Sequence, residues 1–164
     1  MYKEKGLAVI DQIPEPFRTT KTNRDGTFTG RFLSPAQPDF MGTLRGGRTI
    51  CFEAKYTSTD RILQSVLTQK QQESLEEHWA AGAEAGVCVG IGDVFGLVPW
   101  SVWRAMKAIY GRKYMNKEDL ERFRVRFNGL VLFLDYLHPE QAAELKDRKE
   151  ETQMGGGRPQ AESG

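Results

Sequence analysis

The sequence contains few of the residues on which several common kinds of functional site depend. Its 164 residues include two cysteines, Cys51 and Cys88, and two histidines, His78 and His138. The cysteines lie in separate apolar segments without the spacing of a metal motif, so we predict buried thiols rather than a disulfide or a zinc site. The histidines are far apart in the sequence, which gives little support to a Ser–His mechanism. No apolar run is long enough to cross a bilayer or to act as a secretory signal, so we expect a cytoplasmic protein without a membrane partner.

Positive and negative charges nearly balance, but they are distributed unevenly along the chain. The 23 Lys and Arg residues and the 22 Asp and Glu residues give a formal net charge of +1. Residues 18–48 carry six basic side chains against two acidic ones, and residues 104–126 carry eight against three. A solvent-exposed charged face explains either stretch alone. The two together favour contact with a nucleic acid.

Short apolar segments separated by turn signals predict one compact α/β domain. Residues 7–13 are apolar and β-branched and are followed by Pro14, as is typical of a first strand. Residues 17–37 are polar and basic around an Asp-Gly turn signal, which predicts a mobile loop or a projecting hairpin. Two strands on either side of Gly46-Gly47 then form an antiparallel hairpin. The later predicted elements are a helix after Thr68, a central strand at 86–91, a helical stretch after Pro99, a short helix after Asn116 and a last strand at 129–137.

The second strand of this hairpin, with the sequence TICFEAKY, carries a carboxylate and an ammonium group two residues apart. Because side chains alternate along a strand, Ile50, Phe52 and Ala54 share one face. Glu53 and Lys55 share the other. We expect the apolar face to pack under the helices, so that Glu53 and Lys55 project together on the opposite side.

The preceding strand can place Asp39 beside Glu53, which predicts a metal site. Two converging carboxylates repel each other unless a hard cation lies between them, and such oxygen ligands suit Mg²⁺ or Mn²⁺. The chemistry that fits is hydrolysis of a phosphodiester, with Lys55 orienting or deprotonating the attacking water or offsetting charge in the transition state.

The predicted helix after Thr68 supplies a fourth polar group. Helical spacing places Gln71, Leu75 and Trp79 on one stripe, and the two apolar residues indicate that the stripe faces the sheet. Gln71 therefore points inward, where it can hold the water or a second lone pair. A Glu-x-Lys triplet alone is also explained by an ion pair on an exposed strand, so the interpretation depends on all four residues together.

These residues carry a resemblance to a known family. The segments PDF and FEAK resemble the PD-(D/E)xK nuclease signature, and the fuller pattern is similar to RecU-type Holliday junction resolvases of bacteria and their phages. The similarity covers most of residues 2–127 apart from the 17–37 loop, and FEAK is its most specific part. The resemblance implies a restriction-endonuclease-like mixed β-sheet core flanked by helices, with a projecting basic loop or stalk.

The resemblance also implies a function and its residues. The chain would be a Mg²⁺-dependent (or Mn²⁺-dependent) endodeoxyribonuclease, from a phage or prophage, that works as a homodimer without a small-molecule cofactor and resolves four-way junctions by paired symmetric nicks. Asp39 and Glu53 would hold the metal and act in catalysis with Lys55 and Gln71. The residues expected to bind DNA are Arg18, Lys21, Arg24, Arg31, Arg45, Arg48 and Thr57. A single nuclease domain would span 1–138, with the stalk at 18–37 and a charged, partly disordered tail at 139–164.

Two alternatives stay open. The first is a PD-(D/E)xK nuclease that acts on flaps, ends or a defined sequence. The second is a catalytically silent protein that binds branched DNA, because relatives usually begin with a helix bearing a further acidic residue, for which this chain offers only Glu4.

Overall fold

The structure is a computed structural model, and it describes residues 6–14, 17–32 and 37–127. The chain divides into two compact units, Met1–Arg124 and Val125–Gly164. Every helix and strand named below lies in the first unit.

The described part of the chain begins with six strands, and the helices and the remaining strands follow them. The strands are β1 (Ala8–Gln12), β2 (Phe17–Thr22), β3 (Phe28–Phe32), β4 (Phe40–Leu44), β5 (Thr49–Thr57), β6 (Arg61–Leu63), β7 (Glu84–Ile91), β8 (Val94–Pro99) and β9 (Tyr114–Asn116). The helices are α1 (Gln69–Ala80), α2 (Trp100–Arg104), α3 (Met106–Tyr110) and α4 (Lys117–Leu120), with 3₁₀ turns at Gln64–Val66 and Glu121–Phe123.

Five strands form one mixed sheet in the order β1-β4-β5-β7-β8. Strands β5 and β7 are parallel, and the other three pairs are antiparallel. The single parallel pair requires a crossover, and α1 lies in that crossover. The predicted α/β fold, with a mixed β-sheet core flanked by helices, is confirmed.

The prediction about which face of β5 carries the helices is wrong. Gln71 of α1 contacts Glu53, so this helix covers the face from which Glu53 and Lys55 project. On the other face Ile50 and Phe52 are buried, and Phe52 stacks on Phe40 with ring centroids 5.1 Å apart, but Ala54 is exposed. Alternation along a strand shows which side chains share a face, and it does not show which face a later helix will cover.

The basic segment after the first strand forms a hairpin. Strands β2 and β3 pair with each other in a separate two-stranded sheet, with a register shift between Thr19 and Lys21. At the turn, Asp25 accepts hydrogen bonds from the backbone N–H and the hydroxyl of Thr27, and Gly26 has a φ of 84°. Of the two expectations for this segment, a hairpin is therefore the one observed.

The predicted helices are present, with changes in length. The stretch after Pro99 is two short helices, α2 and α3, which meet at Ala105 and end at Gly111 with a φ of 71°. Asn116 caps α4 and accepts a hydrogen bond from the backbone N–H of Asp119. The small sheet of β6 and β9 was not predicted, because three residues are too few to show an alternating pattern.

Several predictions fall outside the described residues. They are the last strand at 129–137, the domain boundary at 138 and the charged tail at 139–164. Within the described ranges, no helix has the length and apolarity needed to cross a membrane.

Candidate active site

Asp39 is held at the point where strand β4 stops pairing with β5. The ladder ends at the Phe40–Phe52 pair, and Pro38 has no backbone N–H with which to continue it. Beyond that point the Asp39 carboxylate, through Oδ2, accepts the backbone N–H of Ala54 at 2.9 Å. The backbone carbonyl of Asp39 accepts the N–H of Ile13 at 2.8 Å, so both neighbouring strands fix its position.

Glu53 is fully buried, and two side chains approach the same carboxylate oxygen. Gln71 Nε2 donates a hydrogen bond to Glu53 Oε2 at 2.7 Å, and Lys55 Nζ lies 3.6 Å from that oxygen. The Lys55 side chain keeps 20% of its surface exposed to solvent. Glu53 Oε1 is buried and accepts no hydrogen bond from the described residues.

The amide of Gln71 is oriented by the start of its own helix. Thr68 and Gln71 form a capping box: the Thr68 hydroxyl accepts the N–H of Gln71, and Gln71 Oε1 accepts the N–H of Thr68 at 3.1 Å. Because Oε1 is occupied by the cap, Nε2 is the group left to face Glu53. The sequence signal for this arrangement is Thr-x-x-Gln, and the sequence interpretation used only its threonine.

The stripe predicted along α1 is correct for two of its three inward residues. Gln71 and Leu75 are buried. Trp79 is 39% exposed, and its ring lies under the guanidinium of Arg104 at 5.0 Å. The prediction that Trp79 faces the sheet is therefore wrong.

Burial, together with the nearby Asp39, changes the acidity of Glu53. Burial and the neighbouring Asp39 carboxyl group raise the pKa of Glu53 to about 7, although Lys55 acts in the opposite direction. A free carboxyl group ionises well below this value. Glu53 is therefore protonated at low pH and becomes a charged oxygen ligand at higher pH.

The cysteines do not take part in this chemistry. Cys51 is buried and Cys88 is half-buried, and both are free thiols. Burial raises the pKa of each thiol to about 11, so both stay protonated at neutral pH.

The residues expected to bind DNA are partly brought together. Arg18, Lys21 and Arg24 are exposed on the β2–β3 hairpin, and the side chain of Arg31 lies outside the described residues. Arg45 is exposed at the turn between β4 and β5. Arg48 forms an ion pair with Glu84, which offsets its charge.

Thr57 lies on the same strand as Glu53 and Lys55, which together with Asp39 and Gln71 form the acidic cluster. It ends β5, two residues beyond Lys55 on the same face, and its hydroxyl is 2.8 Å from that of Thr59.

The donors at this position fit a divalent cation. Asp39 and Glu53 supply two adjacent carboxylates, and the buried Oε1 of Glu53 has a lone pair that no described group uses. Hard cations such as Mg²⁺ bind through one or two protein carboxylates and keep several waters. Among the described residues, no group of three or more His, Cys, Asp or Glu side chains is placed to hold a metal ion.

A family model for recombination protein U (RecU) matches residues 1–142. The chain belongs to the RecU family. This confirms the resemblance to RecU-type Holliday junction resolvases inferred from the sequence. The match covers β1 to α4, so it includes all four residues of the acidic cluster.

The other comparisons are more distant. None of the curated proteins compared with the chain matches it. A solved structure similar to this RecU family member is that of Hjc from Archaeoglobus fulgidus, described as a Holliday junction resolvase from an archaeal hyperthermophile. Its sequence is 15% identical, the match covers 73% of this chain and 84% of Hjc, and the TM-score is 0.46.

We predict that the metal-free protein loses stability as the pH rises from 5 to 8. Glu53 binds its proton more tightly in the folded state than in the unfolded state, so its ionisation favours unfolding. Complete ionisation should lower the free energy of unfolding by about 3 kcal/mol. Denaturant unfolding in EDTA at a series of pH values measures this. Glu53→Gln removes the titrating group and serves as the matched reference, since every other ionisable residue is common to both proteins. An unchanged pH dependence in the variant would contradict the assignment.

Proposed function

We propose that the chain is a metal-dependent, structure-selective DNA endonuclease that resolves four-way junctions by paired symmetric nicks. The observation that carries the proposal is the convergence of Asp39, Glu53, Lys55 and Gln71 at the end of one strand pair, in a chain of the RecU family. Two adjacent acids, an ammonium group and a positioned amide are the groups that phosphodiester hydrolysis requires.

Each side chain has a role that follows from its contacts. Asp39 and Glu53 would hold Mg²⁺ or Mn²⁺, which when bound supplies a Lewis acid for the phosphodiester and lowers the pKa of an attacking water. Gln71 keeps Glu53 in place through its 2.7 Å hydrogen bond, because the capping box leaves its amide one orientation. Lys55 places a partly exposed positive charge where negative charge develops in the transition state.

The basic hairpin would make the selective contact with branched DNA. Arg18, Lys21 and Arg24 are exposed on a two-stranded sheet that is not paired with the main sheet, as suits an element that enters the open centre of a junction. Arg31 and Arg45 are proposed to extend this contact. Arg48 has a smaller part because Glu84 compensates its charge.

We expect the purified protein to cut a labelled four-way junction in the presence of Mg²⁺, giving symmetric nicks in opposing strands. Asp39→Ala and Glu53→Ala should abolish cutting while junction binding persists. Lys55→Ala should lower kcat by about 10² to 10³-fold, because it removes one preorganised positive charge. Single-turnover cleavage measured on denaturing gels gives the rates.

Exposed Glu77 provides a matched control for these substitutions. Glu77→Gln removes a carboxylate from α1 outside the cluster, and its cleavage rate should equal that of the wild type. Flap, linear and single-stranded substrates test the rival nuclease specificities. A wild-type protein that cuts none of the branched substrates with either Mg²⁺ or Mn²⁺ would disprove the enzymatic proposal.

The second candidate is a protein that binds branched DNA without cutting it. The observation that favours it is the presence of two, and not three, converging acidic ligands among the described residues. Titration calorimetry with Mn²⁺ separates the two candidates. A nuclease should bind the ion in the wild type and lose that binding in Asp39→Ala, whereas a silent protein should show no heat that depends on Asp39.

Symmetric incision also predicts a homodimer. A four-way junction with two-fold symmetry is cut in matching strands by two sites related by a two-fold axis. Light scattering at micromolar concentration should therefore give about twice the chain mass of 18.6 kDa. A mass of one chain for the free protein, together with one chain per junction in the complex, would contradict the predicted dimer. The cytoplasmic location and the phage or prophage origin stay predictions.

A further inference from the structure

A pocket of about 620 Å³ opens at the far end of strand β5. Its walls are the last residues of β5, the turn that follows, strand β6 and part of the 3₁₀ turn, and they include Tyr56, Arg61 and Leu63. This volume is within the range of pockets that bind small organic groups, and it exceeds what one water or ion requires. Neither the acidic cluster nor the basic hairpin uses these residues.

The pocket and the acidic cluster lie along the same edge of the sheet. Strand β4 ends opposite Phe52, and in the described sheet no strand pairs with the rest of β5 on that side. Glu53 and Lys55 project from one face of this free edge, and Tyr56 projects from the other. At the usual rise per residue, Thr57 in the pocket wall is about 7 Å beyond Lys55. A DNA strand whose phosphate lies at Lys55 therefore reaches the pocket within about two nucleotides.

Tyr56 presents an aromatic ring to this space. The residue is 63% exposed, yet its ring stacks on Phe95 with centroids 6.5 Å apart and an interplanar angle of 23°. Gly90 lies beneath both rings: a Cβ there would come within 2.7 Å of the Tyr56 ring and 2.9 Å of the Phe95 ring. The absence of a side chain at Gly90 thus lets the tyrosine lie against the sheet, and its outer surface stays open for a second stacking partner.

The rest of the pocket wall carries no net charge. Arg61 donates through Nε and Nη2 to the two carboxylate oxygens of Asp60, both at 3.1 Å, and its guanidinium lies 5.0 Å from the centre of the Tyr114 ring. The positive charge of Arg61 is therefore offset within the wall itself. The side chain of Leu63 is more than half exposed to the cavity and to solvent.

This lining favours a nucleobase over a phosphate. A phosphate site needs an uncompensated positive charge or converging N–H donors, whereas unpaired bases are bound by stacking on an aromatic ring beside apolar and hydroxyl groups. Tyr56 supplies the ring, Leu63 the apolar surface, and Thr57 and Thr59 the hydroxyls.

We propose that this pocket receives one unstacked nucleobase flanking the scissile phosphate, and that Tyr56 is the ring on which the base stacks. Bases next to a branch point have lost a stacking neighbour, so removing one from the helix costs less there than in a continuous duplex. The inference rests on the proposed function, because it assumes that branched DNA lies at the acidic cluster. Tyr56 is thus a substrate-positioning residue that would help to select the cut nucleotide.

The test combines base deletion with substitution of the ring. Four-way junctions carrying an abasic residue at successive positions around the branch point are bound to the protein in EDTA, and affinities are measured by fluorescence anisotropy. For the wild type, one abasic position should weaken binding by roughly ten-fold, the effect of losing one base–aromatic stack. Tyr56→Ala should weaken binding to the intact junction by a similar factor and should be insensitive to the abasic residue at that position.

Two control variants make the result specific. Tyr56→Phe keeps the ring and should behave as the wild type does, whereas Trp79→Ala removes an exposed aromatic residue outside the pocket and should keep the abasic sensitivity. Circular dichroism establishes that each variant is folded. Unchanged abasic sensitivity in Tyr56→Ala, or no sensitive position in the wild type, would overturn the inference. Because binding is measured without metal, its outcome is independent of whether the wild type cuts junctions with Mg²⁺.

Discussion

The antiparallel register between β4 and β5 is the constraint on which the acidic cluster depends. It places Asp39 opposite Glu53 at the point where backbone pairing stops, so a carboxylate rather than a carbonyl completes the hydrogen bonding of Ala54. Two acids are thereby forced together in a part of the sheet that excludes water from one of them. A shift of one residue in this register would move Glu53 and Lys55 to the other side of the sheet and separate them from both Asp39 and Gln71.

Burial of Glu53 is costly, and the surrounding contacts show how the fold tolerates it. A buried carboxylate needs hydrogen bonds and a nearby positive charge, and Gln71 and Lys55 provide one of each to the same oxygen. The other oxygen accepts no hydrogen bond from the described residues. The charge of the buried Glu53 carboxylate is thus only partly compensated, and a divalent cation would compensate it further. Functional sites commonly keep such groups at a cost in folding stability.

Much of this arrangement could be predicted from the sequence. Alternation along the strand places Glu53 and Lys55 together, the glycine turn brings Asp39 back to them, and helical spacing turns Gln71 inward. The errors arose where the local pattern carries no tertiary information. The exposure of Ala54 was not predicted because alternation does not specify which face a helix covers. The exposure of Trp79 was not predicted because helical spacing does not show that this residue, in the last turn of α1, lies against Arg104. Strands β6 and β9 are too short to show a pattern, so the pocket wall that they support was missed.

The parallel pairing of β5 with β7 has a further consequence for how the cluster is assembled. Neighbouring parallel strands cannot be joined by a tight turn, so the chain has to leave the sheet and return across one of its faces. In this molecule the return path is α1, and its first turn passes directly over Glu53. The topology of the chain therefore places Gln71 over Glu53. If a hairpin replaced this connection, the two acids would remain on the sheet without the helix that orients them.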